Sequence, residues 1–424
     1  VSEVAKYNLG STAVADAPST GRAPSTEHAA SAEHAASADH APSAEHTAPA
    51  DHGPSGGHGS SAAHAAIHAP ARPHRRPSAS GILRPAGLGR VLATFGSHVL
   101  IPLFLAAGMG LAYLGAFHAP TPHDLPVGIV GQAPATQVFA QTVTDRSDGA
   151  LVAHVVRDTE RAEQQVRDRE LAAVYAPTST AATLYVSTAA SETTASAAQK
   201  VFLPIAYEQH LPFRVVDVVR AGDQDTTGQG LFFLLVGLSV GGYASAIAVA
   251  GVAARLRPVW TSIVGAATSA VVAAIGVVIA GPVYGIVTTH RWEVFLVAWL
   301  YDAVIVALGV GLHPVLGRWT TPILTMLFVM LNFTSSGGIF QPAFQPGFFA
   351  ALNTFWSGAA WLRAAQDLLY FPGASLVRPV ATLGAWFVVA VVLCIVVHGL
   401  VARRTRIARE RTVTADEEAE VVAA

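Results

Sequence analysis

Six runs of apolar residues, each about the length needed to cross a bilayer, govern what this chain can fold into. They lie at roughly 91–117, 231–254, 259–284, 293–312, 319–336 and 380–402. At ~1.5 Å per residue, about 20 residues of helix span a ~30 Å hydrocarbon core. In that medium each backbone N–H and C=O needs a partner within the protein, so the runs are predicted to be helices. Composition agrees. Charged residues make up 13% and hydrophobic ones 52%, against about 25% charge in a soluble domain. The fold class implied is a polytopic α-helical membrane protein of six transmembrane helices, with an inserted extracytoplasmic α/β domain and a disordered N-terminal tail.

The chain divides accordingly. Residues 1–90 form a His/Ala/Ser/Pro-rich tail with too few large apolar residues for a core. In it His28, His34, His40, His46, His52, His58 and His64 recur every six residues. An extended tail with that period would space them ~18–19 Å apart, too far for one metal ion to bridge. The tail therefore reads as solvated, with no metal site. Residues 91–117 are the first transmembrane helix. The run is too long, and too far from Val1, for the apolar core of a signal peptide.

Residues 118–229 regain charge and alternate short β-rich runs with helical ones, as an α/β domain does. Strands are predicted at Val127–Val130, Ala153–Val156, Leu171–Tyr175, Thr183–Ser187 and Val215–Val219. One helix is predicted from an Asp158 cap to Glu170, and another over Ser191–Gln209. Residues 230–402 hold the other five transmembrane helices. Within them, 337–378 is apolar but broken by Pro342, Pro346 and Pro372, which reads as a re-entrant or interfacial helical hairpin. Residues 403–424 are a cytoplasmic tail.

Arginine placement orients the spans. With the N-terminus cytoplasmic, the inner flanks carry Arg72, Arg75, Arg76, Arg84, Arg90, Arg255, Arg257, Arg318, Arg403, Arg404, Arg406, Arg409 and Arg411. The short outer loops carry Arg291, Arg363 and Arg378. Thirteen against three is a strong positive-inside bias. It puts both termini in the cytoplasm of a bacterial cell and the α/β domain outside its membrane. A net charge of −2 argues against a nucleic-acid partner. The single cysteine, Cys394, excludes an intrachain disulfide framework and cysteine-based metal centres. No motif of a hydrolase or metalloprotease organises the polar residues, so neither an enzyme nor a cofactor is expected. Membrane lipid is the expected partner, with the Arg72–Arg90 stretch touching anionic headgroups.

One helix, an external α/β domain, five more helices and a proline-broken hairpin before the last resembles the YhgE/Pip branch of the type-2 ABC transporter permease superfamily. The likeness covers about residues 90–405. It is carried by Leu125–Gln132 (LPVGIVGQ), Arg167–Pro177 (RDRELAAVYAP), Asn332–Phe340 (NFTSSGGIF), Gln345–Phe349 (QPGFF) and Trp361–Phe371 (WLRAAQDLLYF). The resemblance implies a permease-like exporter subunit for an amphiphilic or lipid-like substrate, working as a homodimer. The inner loops Arg255–Pro258 and Leu312–Arg318 are short, so a separate ATPase would have little surface to dock on. A different class of reading is a non-transporting membrane scaffold or surface receptor of phage-infection or secretion-accessory type, whose external domain binds a partner.

Candidate residues follow. Asp302 lies mid-way along the fourth span, where an ionised carboxylate costs at least ~2.5–3.5 kcal/mol to insert. It reads as a proton or substrate site, or as a structural hydrogen bond between helices. His98 in the first span is a possible titratable partner for it, or another helix–helix hydrogen bond. In the hairpin, Arg363 and Asp367 are spaced to pair on one helical face. Trp361 belongs to an aromatic surface there, and Gly337 and Gly338 permit the turn before it. The hairpin reads as an outer gate or as a lid that seals the fold.

Overall fold

The computed structural model describes residues 88–423. The histidine repeat, the arginines up to Arg84 and the rest of the preceding tail lie outside them. Among the described residues, five helices are long and apolar enough to cross a membrane: His98–Phe117, Gly230–Ala253, Pro258–Val283, Arg291–Ser335 and Val377–Arg411. They belong to α1 (Leu88–Phe117), α5 (Gly230–Ala253), α6 (Pro258–Val278, extended by a π turn), α7 onward, and α12 (Val377–Ala423).

The run Arg291–Ser335 is 45 residues long, but it is not one rod. Helix α7 (Arg291–Leu316) stops at Gly317, whose φ of +53° suits a residue without a Cβ. A 3-10 turn (Gly317–Trp319) leads into α8 (Thr320–Thr325), a π turn (Met326–Met330) and α9 (Leu331–Ser335). Tyr301 hydrogen-bonds with Asn332. A Cβ on Gly309 would lie 2.8 Å from Leu324 Cδ1. His313 Nδ1 lies 3.1 Å from Thr320 Oγ1. Each partner number falls as the other rises, so α7 and the α8–α9 leg are antiparallel and meet at Gly317. These legs are the fourth and fifth apolar runs of the sequence.

Other contacts fix the remaining directions. Helix α5 runs parallel to α7. Ser239 Oγ is 2.7 Å from Tyr301 Oη, and the positions of Gly242 and Ala246 face Ile305 and Gly309 in turn. Helix α1 runs parallel to the α8–α9 leg, with rings of Phe104 and Trp319 6.1 Å apart and those of Tyr113 and Phe333 4.9 Å apart. Small residues let these helices approach: Gly241 meets Val272 and Gly265 meets Val306, whereas Gly237 faces open space.

The α/β domain is a five-stranded sheet of order β2-β1-β3-β4-β5. Its strands are β1 (Leu125–Val130), β2 (Leu151–Val156), β3 (Ala173–Pro177), β4 (Ala182–Val186) and β5 (Phe213–Asp217). All neighbours are parallel except β3 and β4. Each strand begins one or two residues from where the β-rich runs place it, β3 later and the other four earlier. The sequence reading missed α2 (Pro134–Arg146), whose few apolar residues leave only Ala140 and Val143 buried. Asp158 caps α3 (Thr159–Arg167), accepting from the Arg161 N–H at 2.8 Å. That helix ends at Arg167, short of Glu170. Helix α4 (Glu192–Glu208) matches its predicted range to within one residue at each end.

Between the bundle and the last helix, 337–378 is not a simple pair of surface helices. It holds a 3-10 turn (Pro342–Phe344), α10 (Gly347–Asn353) and α11 (Ser357–Tyr370). Phe344 joins Tyr175, Leu184 and Phe202 in the core of the α/β domain. Trp361 is fully buried in the helical core rather than facing outward, its ring 6.3 Å from that of Tyr301. One segment thus enters both cores and ties the sheet domain to the helices. The tail expected from residue 403 instead continues α12 without a break to Ala423. Its arginines and glutamates favour helix, and Arg406 Nε donates to Glu410 Oε1 at 2.9 Å one turn on.

Helices cross closely at Gly309, where a Cβ would approach Ala246 Cβ to 2.5 Å and Leu324 Cδ1 to 2.8 Å. Gly309→Val is expected to lower stability by about 1–3 kcal/mol through overpacking. Thermal unfolding of the purified protein in detergent measures it. An unchanged midpoint would refute the crossing.

Candidate functional site

Two groups of polar residues stand out in a mostly apolar molecule. The first lies inside the bundle. Tyr301 of α7 is fully buried, meets Ser239 of α5, and receives a hydrogen bond from Asn332 Nδ2 of α9. Asn332 Nδ2 also donates to Phe328 O at 3.0 Å, and its Oδ1 accepts from the Gly358 N–H of α11 at 3.2 Å. A Cβ on Gly358 would lie only 2.3 Å from that oxygen, so a glycine is required for α11 to sit so close. Four helices are joined here by two amide groups and two hydroxyls.

Asp302 follows Tyr301 but points elsewhere. It is completely buried, and among the described residues neither carboxyl oxygen has a hydrogen-bond partner. Across the crossing it faces Gly242, where a Cβ would meet Oδ1 at 2.9 Å. His98 is exposed on α1 and does not reach it. The expected His98–Asp302 couple is therefore absent, because α1 packs against the α8–α9 leg. Beyond Asp302, the crossing closes over Ala246, Gly309 and Leu324, which are apolar.

The second group lines a cleft of about 920 Å³ between the α/β domain and α11–α12. Its floor is an ion pair across the two parts of the fold. Arg169 Nη2 donates to Asp367 Oδ1, and Arg363 Nε lies 3.3 Å from the same oxygen. The Arg169 guanidinium lies 3.8 Å from the centroid of the Phe371 ring, a cation–π stack. Burial is the main effect that pulls its pKa below the ordinary arginine value; Asp367 opposes it, and the Arg363 charge adds to it.

Arg169 holds that position at a conformational cost. It follows α3 in a Schellman turn, its N–H reaching Val166 O and that of Glu170 reaching Gln165 O. The position takes a left-handed backbone, φ +60°, which favours glycine. An arginine is kept there because its side chain closes the ion pair with α11.

The sequence-predicted hairpin residues meet here only in part. Arg363 and Asp367 pair and line the cleft, with Gly337 at its edge. Gly338 packs against Phe232, where a Cβ would clash at 2.2 Å. Trp361 lies beneath, away from the opening. Sequence reasoning missed Arg169, Tyr301 and Ser239 altogether. The one available signal for Arg169 was an arginine just past a helix end, where glycine is common. Among the described residues no group of three or more His, Cys, Asp or Glu side chains is placed to hold a metal ion.

No family model, curated protein or solved structure matches the chain.

Truncating Arg169 leaves Asp367 buried with only the exposed Arg363 beside it. Arg169→Ala is expected to cost on the order of 3 kcal/mol. Arg169→Gly loses the same contacts but suits the left-handed turn, and is expected to be about 1 kcal/mol less damaging than Ala. Unfolding midpoints of both variants test this, and a glycine variant no better than alanine would show that the turn does not strain Arg169.

Proposed function

We propose that this chain is a permease-like integral membrane protein of exporter type that moves an amphiphilic, lipid-like substrate, working as a homodimer. It crosses the bacterial cell membrane six times, with both termini in the cytoplasm and the α/β domain outside. The fold-back at Gly317 supports six crossings, because it gives the fourth and fifth runs opposite directions. The parallel pairings of α1 with the α8–α9 leg and of α5 with α7 are those that six alternating crossings require. The observation that carries the substrate reading is the cleft. It opens beside the outer ends of the helices and combines arginines with Trp356, Leu362 and Phe371, so it presents charged and apolar contacts to one molecule.

The closed crossing at Gly309 favours a second reading, a membrane scaffold whose external domain binds a partner. In the exporter reading the same contact is the closed state of a path that opens between α5 and α7. Asp302 then stands just outside the barrier as the group that exchanges a proton.

Orientation is tested with single cysteines in a Cys394→Ser background. Ser179→Cys, exposed in the α/β domain, is expected to react with a membrane-impermeant thiol reagent in intact cells. Thr405→Cys is expected to react only after lysis. Labelling of the latter from outside would overturn the topology.

Transport is tested in proteoliposomes holding fluorescent lipid analogues, by the rate at which they change leaflet. Asp302→Asn, which keeps the shape but not the exchangeable charge, is expected to insert at native yield and to lower the rate at least tenfold, equivalent to about 1.4 kcal/mol. A native rate in Asp302→Asn removes the proton role. Native protein that moves no analogue favours the scaffold.

A further inference from the structure

The charges around the cleft do not balance. Arg167, Arg169, Arg363 and Arg378 face it, against Asp168 and Asp367. Arg169 and Arg363 share one carboxylate oxygen. The Asp168 carboxylate accepts from Gln164 Nε2 at 2.8 Å. Arg167 lies 4.0 Å from Glu163 with both side chains substantially exposed, a pairing that contributes little. Arg378 forms no ion pair among the described residues. It stands in the first turn of α12, where the helix dipole also favours an anion.

The unused hydrogen-bonding groups are of one kind. The Arg169 side chain is 10% exposed, yet among the described residues its Nε and Nη1 have no acceptor. Trp356 Nε1, in the same wall, has none either. Buried polar groups are ordinarily paired, and each exception calls for an explanation. Here all three orphans are donors, buried on residues that line a cleft with an excess of cations. Phe371 holds the guanidinium plane in place, and a planar fork of this kind matches the oxygens of a phosphate. Trp356, Ala359 and Leu362 continue the wall as apolar surface.

We propose that the cleft is a binding site for a phosphate-bearing anion, with Arg169, Arg363, Arg378 and Trp356 Nε1 as its donors and the apolar wall for an attached hydrocarbon chain. The proposal rests on the lipid-handling reading for the source of that phosphate, a lipid headgroup. A free phosphate shares the same chemistry.

The test is calorimetric titration of the purified full chain in uncharged maltoside micelles. The probes are dihexanoyl phosphatidate, dihexanoyl phosphatidylcholine and inorganic phosphate. Phosphatidate is expected to bind saturably, and more weakly as salt rises. Arg378→Gln and Arg363→Gln, both at exposed positions that leave the Arg169–Asp367 pair intact, are expected to weaken it about tenfold each, as loss of a hydrogen bond to a charged group does. Arg255→Gln, far from the cleft, is expected to leave it unchanged. Inorganic phosphate that binds as tightly as phosphatidate supports the site with a free anion as its ligand; much weaker binding supports the lipid. Phosphatidylcholine binding as tightly as phosphatidate would overturn the proposal. So would phosphatidate binding unaffected by both arginine variants, or no phosphatidate and no phosphate binding at all. Binding without lipid movement in proteoliposomes would remove the permease reading and keep the site. Lipid movement without binding would do the reverse.

Discussion

Buried backbone polar groups need partners within the protein, and in this molecule that requirement is met at its hardest point by side-chain amides. Helix α9 ends at Ser335, so its last carbonyls have no helical partner. Gln345 Nε2 donates to Thr334 O at 2.7 Å and to Phe340 O at 2.9 Å, while Asn353 Nδ2 donates to Ser335 O at 2.8 Å. Asn332 anchors the start of α11 in the opposite sense, its Oδ1 accepting from the Gly358 N–H. These three amides make an irregular segment tolerable beside the bundle. Everything that segment positions, including the cleft floor on α11, depends on them.

From that anchor the two halves of the fold are brought into register. Thr193 Oγ1 donates to Ile339 O at 2.7 Å, and Gln341 Nε2 to Ala190 O at 3.3 Å. Phe344 fills the sheet domain's core. The sheet domain is thus held against the helices by apolar burial and hydrogen bonds, with the Arg169–Asp367 pair on the cleft side. A buried pair of this kind is poor evidence of stability in itself, since desolvating both charges offsets much of their attraction. Its more useful property is direction: it places a cation at one point of the cleft wall.

Much of the architecture was legible in the residues because it follows from continuous local patterns. The apolar runs locate the helices to within a few residues, and Asp158 and Ser191 mark helix starts by the caps they form. Helix α2 was not legible because its helical face is short of large apolar residues and Ala133 before it offers no side-chain cap. The site was legible only where its parts are neighbours in sequence. Arg363 and Asp367 are one turn apart, whereas Arg169 and Asp367 are separated by 198 positions, and no local pattern links them. Asp302 was conspicuous as an acid within an apolar run, but its lack of a partner depends on which face of α7 meets α5. The expected partner, His98, lies on a helix packed to another side.

Helix α12 gives the cleft a reach that its own dimensions do not. Its first turn carries Arg378, and it then runs 47 residues without a break, a length of ~70 Å. A rod of that kind cannot absorb a displacement locally as a jointed segment would. A tilt of about 10° at the cleft end sweeps the far end through roughly 12 Å by lever geometry over that length. Motion at the mouth of the molecule is therefore magnified at the opposite end, with the helix itself as the pointer.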